Sequence, residues 1–534
     1  MSNRTYDYIV VGAGAAGCVV AARLLGDPDR RVLLLEAGGS DDRETIHRTD
    51  IPSMTSMWGP SDVNWPYTTV PQRGLGGRVV PIPQGRVLGG SSSINAMMYV
   101  RGNRRDFDHW RDLGNDGWGY RDVLPYFRRA ERFAGEASAY RGSHGPLSVV
   151  EYERPSSVAE AFVRATRELG LARTVGDYNG ERQENIAFFY QSTRTPDDRR
   201  CSTATAYLDP VRGHPGLTLD TRAVTTRILF DGGRAVGVEY HRDGEVHQAY
   251  ADAEVIVACG ALASPKLLML SGVGPADTVS ALGIAPLVDL PGVGRNLHDH
   301  VLFGVGYESL CSLPPPRLLA EAGLFTWSRR SGAAGSPADA DGPDLQFFFG
   351  PVQYVDDRYK TPGPGFTFAP ILTRPQSRGT VTLRSADPLD LPVVDPNYLG
   401  CDADLDVLLA GLGLARELAA SDSFRAYRGR ELAPGDGVAG AALADYVRAT
   451  ASTVWHPVGT CRMGRDGESV VDPELRVHGT AGLRVVDASV MPRITTGNPN
   501  AATIMIAERA VDLIQGAAAP DTAADDTMVG GPAL

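Results

Sequence analysis

YDYIVVGAGAAGCVVAARLLGDPDRRVLLLE, residues 6–36, is the stretch of sequence that decides the fold. The apolar run Tyr6–Val11 predicts a buried strand, and the segment rich in alanine and leucine that ends near Leu25 predicts a helix. Arg31–Leu35 predicts a second strand, which is followed by Glu36. A strand, a glycine-rich turn, a helix and a second strand in this order predict the βαβ start of a Rossmann-like α/β domain.

The turn between the first strand and the helix carries three glycines in the pattern G-x-G-x-x-G. Gly12 permits a tight turn, Gly14 lets the backbone approach a pyrophosphate at the helix N-terminus, and Gly17 allows the helix and strand to pack closely. Glu36 stands where a carboxylate binds ribose hydroxyls, which disfavours a 2′-phosphate. The pattern predicts a dinucleotide site but does not separate NAD from FAD. Its predicted contact residues are Gly12, Gly14, Ala15, Ala16, Gly17, Glu36 and Ala37.

The bulk composition is that of a globular enzyme with two connected domains. The chain has 534 residues, of which 43% are hydrophobic and 22% are charged, and this length exceeds what one simple core supports. The net charge of −12 argues against a nucleic-acid partner. The sequence contains no run of about 18 apolar residues, so no transmembrane segment is expected.

Two further features favour a cytoplasmic protein. The six cysteines stand far apart and none forms a C-x-x-C pair, so we expect reduced thiols rather than disulfides or a zinc site. The apolar stretch from Tyr8 to Leu25 is similar to a signal peptide, but its glycines follow the phosphate-binding pattern and no convincing cleavage site follows. The oligomeric state cannot be predicted from these features.

Further helices and strands are predicted along the chain. Helices are expected over residues 106–133 with a turn at Gly114–Gly119, over residues 157–170, around Pro265–Leu270 and over Asp402–Ala420. Strands are expected at Leu217–Asp220, Thr226–Phe230, Ala235–Tyr240, Glu254–Ala258, Leu345–Phe349 and Thr380–Leu383. Residues 41–65 are typical of a long loop that covers a cofactor, and residues 517–534 of a disordered tail.

Other segments carry motifs in a recognisable order. Residues 85–102 read GRVLGGSSSINAMMYVRG, and residues 260–274 read GALASPKLLMLSGVG. Residues 455–464 read WHPVGTCRMG, and VVDAS at 485–489 and GNPNAA at 497–502 follow. These motifs, their order and their spacing resemble those of the glucose–methanol–choline (GMC) oxidoreductases. The resemblance extends from Tyr6 to about Gly516 and is weakest over residues 301–450.

The resemblance implies FAD rather than NAD, bound by a discontinuous domain. The flavin domain would comprise residues 1–155, 195–300 and 455–516, and a substrate domain with a mostly antiparallel sheet would comprise residues 156–194 and 301–454. FAD should be bound non-covalently, because Ile94 stands where members with tethered flavin carry histidine. The further flavin contacts that the resemblance implies are Trp65, Arg86, Leu88, Gly89, Asn95, Ala96, Met97, Met98, Thr225, Asp487, Ala488, Asn500 and Ala501.

His456 and Asn500 are the candidate catalytic residues. An alcohol gives up hydride readily only when a base takes its hydroxyl proton, and a neutral imidazole suits that task near pH 7. Pro457 stiffens the backbone beside His456. Asn500 stands where the family places its second polar catalytic group, and it opens an apolar helix whose positive end can face the flavin.

Three other groups of residues have competing interpretations. His298-Asp299-His300 could contribute to a metal site, but a third and fourth ligand are missing at useful spacing, so a structural turn beside the flavin is favoured. Phe347–Phe349 and Tyr354 could line a substrate pocket or belong to the core. Cys461 is expected to be a buried, inert thiol.

The sequence therefore predicts an FAD-dependent oxidase or dehydrogenase of a small-molecule alcohol, with the reduced flavin reoxidised by oxygen or by an electron carrier. A lyase or photodecarboxylase that retains FAD, and a flavoprotein with only a binding role, are the alternatives. Sugars, polyols, aliphatic alcohols and aryl alcohols all remain open as substrates. Choline is expected to be a poor substrate, because Leu302 stands where choline-oxidising members have a glutamate that faces the trimethylammonium group.

Overall fold

The computed structural model describes residues 4–329, 342–518 and 520. Most of the tail that was predicted to be disordered, residues 517–534, therefore lies outside the described residues. Within the described part of the chain, no helix is long and apolar enough to cross a membrane. The six cysteines are free thiols.

Helices and strands are distributed along the whole described chain. The helices are α1 Ala15–Leu24, α2 Glu44–His47, α3 Ile51–Ser56, α4 Arg104–Asp112, α5 Tyr120–Ala130, α6 Ser157–Glu168, α7 Gly260–Leu270, α8 Ala276–Ala281, α9 Asp402–Ala420, α10 Ala441–Thr450 and α11 Asn500–Gln515. The strands are β1 Arg4–Val11, β2 Val32–Leu35, β3 Asn64–Trp65, β4 Gln84–Gly85, β5 Glu131–Phe133, β6 Leu147–Val149, β7 Thr174–Val175, β8 Ile186–Phe189, β9 Leu217–Asp220, β10 Val224–Asp231, β11 Arg234–Arg242, β12 Glu245–Val257, β13 Val273–Gly274, β14 Val288–Asp289, β15 Val301–Leu302, β16 Val305–Ser309, β17 Ala322–Thr326, β18 Leu345–Gly350, β19 Gly365–Leu372, β20 Thr380–Thr382, β21 Val393–Asp395, β22 Arg428–Ala433, β23 Ser452–Thr453 and β24 Leu483–Val485.

The first large sheet has seven strands in the order β10-β11-β12-β1-β2-β9, with β24 paired to β12. β1 pairs in parallel with β2 and β12, and β2 pairs in parallel with β9, whereas β10, β11 and β12 run antiparallel. β1 lies inside the sheet, and Ile9 and Val10 in it are completely buried. α1 follows β1 directly and packs against α11 from the other end of the chain. This parallel centre confirms the predicted Rossmann-like βαβ start.

The second large sheet has nine strands and comes from other parts of the chain. Seven strands follow the order β22-β16-β19-β18-β17-β8-β7, and β15 joins β19 to β23. Only β7 and β8 pair in parallel among its described strands. α6 and α9 pack against it, and Phe162 of α6 stacks on Phe349 of β18 with ring centroids 4.8 Å apart. The mixed architecture confirms the predicted α/β class, while the exact domain boundaries stay a prediction.

Residues 41–65 differ from the long loop that their composition suggested, because they contain α2, α3 and β3. Asp50 caps α3 by accepting a hydrogen bond from the backbone N–H of Ser53 at 2.9 Å, and Pro52 lies in the first turn. A capping aspartate followed by proline is a helix-start signal. The glycine and proline residues that follow it made the segment look irregular.

Several predicted boundaries were also wrong. The helical region 106–133 ends at Ala130, and a strand covers Glu131–Phe133. α7 begins at Gly260 rather than near Pro265, which lies inside the helix. β12 begins at Glu245, well before the predicted Glu254, because its exposed polar first half pairs with β11. Within residues 301–450, strands β16, β17, β19 and β22 and helix α10 were not predicted, whereas α9 has the predicted bounds.

Candidate active site

A cavity of about 530 Å³ has walls drawn from both large sheets. The turn from Val11 to Ala16 between β1 and α1 forms one part of the wall. Phe348 of β18 and Ala369 of β19 form part of the opposite side. The volume falls in the range typical of small-molecule and cofactor sites, so this cavity is the candidate active site.

Most of the residues predicted from the sequence lie in this wall. They are Gly12, Gly14, Ala15, Ala16, Glu36, Ala37, Trp65, Arg86, Asn95, Ala96, Met97, Met98, Thr225, His456, Asp487, Ala488 and Asn500. Gly17, Leu88, Gly89 and Ala501 lie behind the wall. A Cβ at Gly17 would come within 1.8 Å of the carbonyl oxygen of Gly12, and the N–H of Gly89 donates to Ala13 at 2.8 Å. These residues support the wall rather than form its surface.

The glycine turn can hold a phosphate close to the backbone. Gly12 has φ +97°, and a Cβ there would lie 2.5 Å from the carbonyl oxygen of Ala258, so only glycine fits. Gly14 is the N-cap of α1, and both it and the first residues of α1 line the cavity. The unpaired N–H groups and the positive end of the helix dipole therefore meet the ligand space, which favours an anionic group.

Glu36 ends the second strand of the βαβ unit and is 5% exposed. Its carboxylate accepts hydrogen bonds from the N–H of Ala13 at 2.9 Å and from the N–H of Gly38 at 2.8 Å. Burial raises the pKa of Glu36 to about 7, while these two N–H donors act in the opposite direction. A carboxylate fixed beside the glycine turn is well placed to accept from ribose hydroxyls.

Unpaired polar atoms in the wall support a long polar ligand. Among the described residues, the Thr225 hydroxyl and the Asn498 amide oxygen are buried and have no hydrogen-bond partner, and both residues line the cavity. Each such atom costs about 1–3 kcal/mol unless a ligand or water satisfies it. Together with the glycine turn and Glu36, these atoms fit FAD, whose polar groups extend from an adenosine to a flavin ring.

His456 lies in the wall, three residues after the end of β23. Its backbone N–H donates to Oδ1 of Asp299 at 2.8 Å. Its ring Nδ1 lies 3.0 Å from Nδ1 of His300, and its Nε2 lies 3.2 Å from Nδ2 of Asn498. Three side chains from two parts of the sequence, Asp299 and His300 in one and Asn498 in the other, therefore hold His456 in place.

The partners of His300 determine which nitrogen of His456 carries the proton. Nε2 of His300 lies 3.1 Å from the carbonyl oxygen of Thr373, which can only accept, so this nitrogen carries hydrogen. In a neutral ring, Nδ1 of His300 is then an acceptor and receives the Nδ1–H of His456. The lone pair of neutral His456 is therefore on Nε2, where Asn498 donates to it.

Both imidazoles are held neutral. Burial lowers the pKa of His456 well below its usual 6.5, and the neighbouring His300 lowers it further. Burial also lowers the pKa of His300 to about 4. At pH 7 the pair is therefore an uncharged hydrogen-bonded relay, and the basic nitrogen of His456 is the Nε2 that Asn498 contacts.

Asp299 anchors the backbone of His456. Besides the N–H of His456, its carboxylate accepts from the hydroxyls of Thr453 and Tyr398, and burial raises its pKa to about 6. The sequence interpretation of residues 298–300 as a structural turn missed that Asp299 and His300 contact the candidate base. The described residues hold no group of three or more metal-ligating side chains.

Asn498 is a second contact that the sequence interpretation missed. Asn500 is the first residue of α11 and lies in the wall as expected, but the side chain that contacts His456 is Asn498. Asp106 holds the loop before α11 by accepting from the N–H and the hydroxyl of Thr496 at 2.6 and 2.9 Å. The N-P-N motif therefore identified the correct loop, but it did not show which of its two asparagine side chains contacts His456.

The aromatic residues of β18 and the nearby Tyr354 divide between the cavity and the core. Phe348 and Tyr354 line the cavity, whereas Phe347 and Phe349 are completely buried in the core. This division follows from the alternation of side chains along a strand. Cys461 is completely buried, and burial raises the pKa of its thiol well above the usual value.

Comparison with known proteins decides the family. A family model described as GMC oxidoreductase matches residues 6–302, and a second GMC oxidoreductase model matches residues 375–507. The chain belongs to the GMC oxidoreductase family. Mitochondrial choline dehydrogenase of Mus musculus is 42% identical to this GMC oxidoreductase, over 96% of the chain and 89% of the relative.

Other relatives of this GMC oxidoreductase have different names. Alcohol dehydrogenase (acceptor) of Pseudomonas putida is 40% identical over 95% of each protein. The crystal structure of pyridoxine 4-oxidase from Mesorbium loti matches with a TM-score of 0.89 and 34% identity, over 96% of this chain and 100% of that one. All of these relatives are oxidoreductases by name, which favours oxidation over the lyase alternative.

The comparisons confirm the predicted family, the FAD cofactor and the reaction class. This GMC oxidoreductase is an FAD-dependent enzyme that oxidises the CH–OH group of a donor. The roles of single residues, the attachment of FAD and the identity of the alcohol are matters for proposal.

Proposed function

We propose that this GMC oxidoreductase oxidises an uncharged alcohol with an apolar or aromatic body, and that His456 takes the hydroxyl proton. The observation that carries the proposal is the wall beside His456. β15 pairs with β23, which ends three residues before His456, and Leu302 stands opposite Ser452 in this pairing. Leu302 and His456 both line the cavity. Phe348 and Val454 also line this part of the cavity. An apolar wall favours a substrate without charge.

Four charged side chains line the described cavity wall, and each contacts neighbouring groups of the protein. Among the described lining residues they are Glu36, Arg86, Lys266 and Asp487. Glu36 is held by the glycine turn, Arg86 lies over the ring of Trp65 at 4.5 Å, and the ammonium of Lys266 donates to the carbonyl oxygen of Pro388 at 2.6 Å. 

Asp487 accepts from the N–H groups of Gly260 and Ser489, both at 2.8 Å, and from the hydroxyl of Ser264 at 2.6 Å. None of these four charged groups belongs to the segments 301–454 that supply the wall beside His456. A substrate cation would therefore meet no carboxylate from that side of the cavity.

The contacts of His456 suit it to proton abstraction. Its lone pair on Nε2 can accept the hydroxyl proton, because Nδ1–H is committed to His300. In the structure the amide of Asn498 donates to this lone pair from 3.2 Å. The substrate hydroxyl would displace that amide, which could then donate to the substrate oxygen. Bound FAD supplies the hydride acceptor. If the neutral base takes the hydroxyl proton while the substrate carbon loses its hydride, no free alkoxide has to form.

The finer features of the flavin site follow from nearby residues. We infer that FAD is bound non-covalently, because Ile94 lines the cavity and carries no nucleophile. The reduced flavin would return its electrons to oxygen or to an electron carrier. We also infer a reducing compartment such as the cytoplasm, since the six cysteines are free.

Choline is expected to be a poor substrate although several relatives are choline dehydrogenases. Leu302 offers no charge to a trimethylammonium group, whose desolvation in an apolar pocket is then uncompensated except by aromatic faces. An alkyl group in place of a carboxylate at this position removes the strongest attraction for a quaternary cation in a site without water.

The test is anaerobic reduction of the bound flavin by matched alcohols. Benzyl alcohol, hexanol, choline and 3,3-dimethyl-1-butanol, which is choline with carbon in place of nitrogen, would be mixed with the holoenzyme in a stopped-flow instrument. The uncharged isostere should reduce the flavin at least about tenfold more efficiently than choline. Preference for choline over its isostere would contradict the proposed substrate class.

Three variants separate the substrate proposal from the mechanism. Leu302→Glu should improve choline relative to its isostere, and Leu302→Gln, which adds length without charge, should not. His456→Ala should retain FAD and reduce it ~10²–10⁴-fold more slowly with every alcohol. Wild-type rates in the alanine variant would refute the assigned base, whatever the substrate.

A further inference from the structure

Arg200 is a buried arginine that contacts Asn95 in the cavity wall, and its side chain is bonded entirely to neutral oxygens. The residue is 1% exposed. Its Nε donates to the carbonyl oxygen of Ile46 at 2.8 Å. Its Nη1 donates to the carbonyl oxygens of Asn95 and Ser92 at 2.7 and 3.3 Å, and to Oδ1 of Asn95 at 2.9 Å. Its Nη2 is buried without a partner among the described residues.

The charge of Arg200 lacks the compensation that other buried arginines have. Arg101 and Arg141 are equally buried, and both form ion pairs with Glu131 at 2.6 Å. Within the described chain, no ion pair or hydrogen bond joins Arg200 to a carboxylate. Burial, together with the nearby Arg194, lowers the pKa of Arg200 to about 9, so it stays charged at pH 7. A buried cation without an anion is costly.

Asn95 links Arg200 to the cavity. The side-chain oxygen of Asn95 accepts from Nη1 of Arg200 and from the N–H of Met97, both at 2.9 Å. Asn95, Ala96 and Met97 all line the cavity. Because the side-chain oxygen of Asn95 accepts from the protein, the N–H groups of the same amide remain as donors for a ligand. The guanidinium is therefore one side chain removed from the ligand space.

We propose that Arg200 is a positioning residue for the bound flavin, which holds Asn95 in the wall and supplies an uncompensated positive charge that favours the reduced, anionic form of the flavin. The only large anionic group that the family chemistry brings to this wall is the cofactor itself. At an effective dielectric constant near 20, one charge at a distance of about 10 Å changes an equilibrium about tenfold. Arg200 should therefore influence the reduction potential of FAD more than it influences substrate binding.

The test is the reduction potential of the flavin in Arg200→Met and Arg200→Lys, measured by equilibration with a redox dye. Methionine removes the charge and keeps an apolar chain, so the equilibrium constant for flavin reduction should fall at least about tenfold. Lysine keeps the charge but loses the bonds to Asn95, so the constant should stay within about threefold of wild type. FAD content and thermal unfolding are measured in parallel.

Two outcomes would overturn the proposal. One is a wild-type potential in FAD-loaded Arg200→Met. The other is an equal shift of the potential in the lysine and methionine variants. That result would show that Arg200 acts only by holding Asn95 and not through its charge. If Arg200→Met does not retain FAD, Asn95→Asp replaces it, because the new carboxylate neutralises Arg200 in place. The aspartate variant should then shift the potential in the same direction, and an unchanged potential would refute the role of the charge.

Discussion

Replacement of His300 tests whether the proton position on His456 is fixed by its neighbour. Leucine at position 300 would fill the space but could neither accept from Nδ1 of His456 nor donate to Thr373. In the wild-type protein these contacts are 3.0 and 3.1 Å long. Without an acceptor at Nδ1, His456 can also adopt the tautomer with hydrogen on Nε2, and this tautomer cannot take a proton from the alcohol.

The expected effect follows from the value of one buried hydrogen bond. Loss of an acceptor for a buried N–H shifts the free-energy difference between the tautomers by about 1–3 kcal/mol, which corresponds to about 5- to 150-fold in population. In a serine protease, imposing the wrong histidine tautomer lowers turnover ~10⁴-fold. We therefore expect flavin reduction in His300→Leu to be about 10- to 100-fold slower than in wild type.

His300→Asn is the matched control, because its side-chain oxygen can occupy the place of Nδ1 and accept from His456. Anaerobic stopped-flow with the best alcohol, on protein with measured FAD content, should place asparagine within a few-fold of wild type. The pH profile gives a second readout. Since His300 contributes to the lowered pKa of His456, the leucine variant should lose activity at a higher pH than wild type. Equal rates in wild type and the leucine variant would refute the relay, as would equal losses in both variants.

Three further outcomes are expected. In protein fully loaded with FAD, the rate of flavin reduction should not fall between about pH 8 and pH 6.5, because the pKa of His456 is lowered well below 6.5 and the pKa of Asp299, which anchors it, is about 6; a loss centred at or above pH 6.5 would contradict this. Gly38→Ala should weaken FAD binding about tenfold or more, because its Cβ would lie 2.0 Å from the carbonyl oxygen of Arg86, whereas Gly39→Ala, whose Cβ meets nothing within 4 Å, should not. Acid precipitation should leave the yellow colour in the supernatant, because Ile94 cannot tether the flavin, and colour in the pellet would show a covalent bond.

The parts of the site that could be predicted from sequence depend on local chemistry. The glycine turn requires φ +97° at Gly12 and a close approach at Gly17, and a short motif with its flanking strand and helix is enough to identify it. The His-Pro motif likewise identified a candidate base. His300 and His456 stand 156 residues apart, however, and meet only because β15 pairs with β23. Two-residue strands leave no pattern from which this pairing could be inferred.

Burial explains why strands β17 and β19 of the second sheet were not predicted. Each of the eight residues of β19 is buried, and so is each residue of β17. A strand covered on both faces shows no alternation of polar and apolar residues and is hard to distinguish from other apolar segments. α9 could be predicted with its correct bounds, because its nineteen residues carry a long helical pattern that begins with acidic residues.

The division of the cavity between two sheets links substrate preference to the behaviour of the base. The first sheet supplies the dinucleotide turn, whereas Leu302 and His456 belong to or closely follow β15 and β23 of the second sheet, which pair with each other. A carboxylate introduced at Leu302 to attract a cationic alcohol would share the cavity with His456, and its negative charge would raise the pKa of His456 because it favours the imidazolium form. Gain of choline turnover in Leu302→Glu should accordingly be accompanied by loss of activity at a higher pH than in wild type. An apolar residue at this position keeps His456 neutral over the widest pH range, so the same side chain selects an uncharged substrate and protects the base.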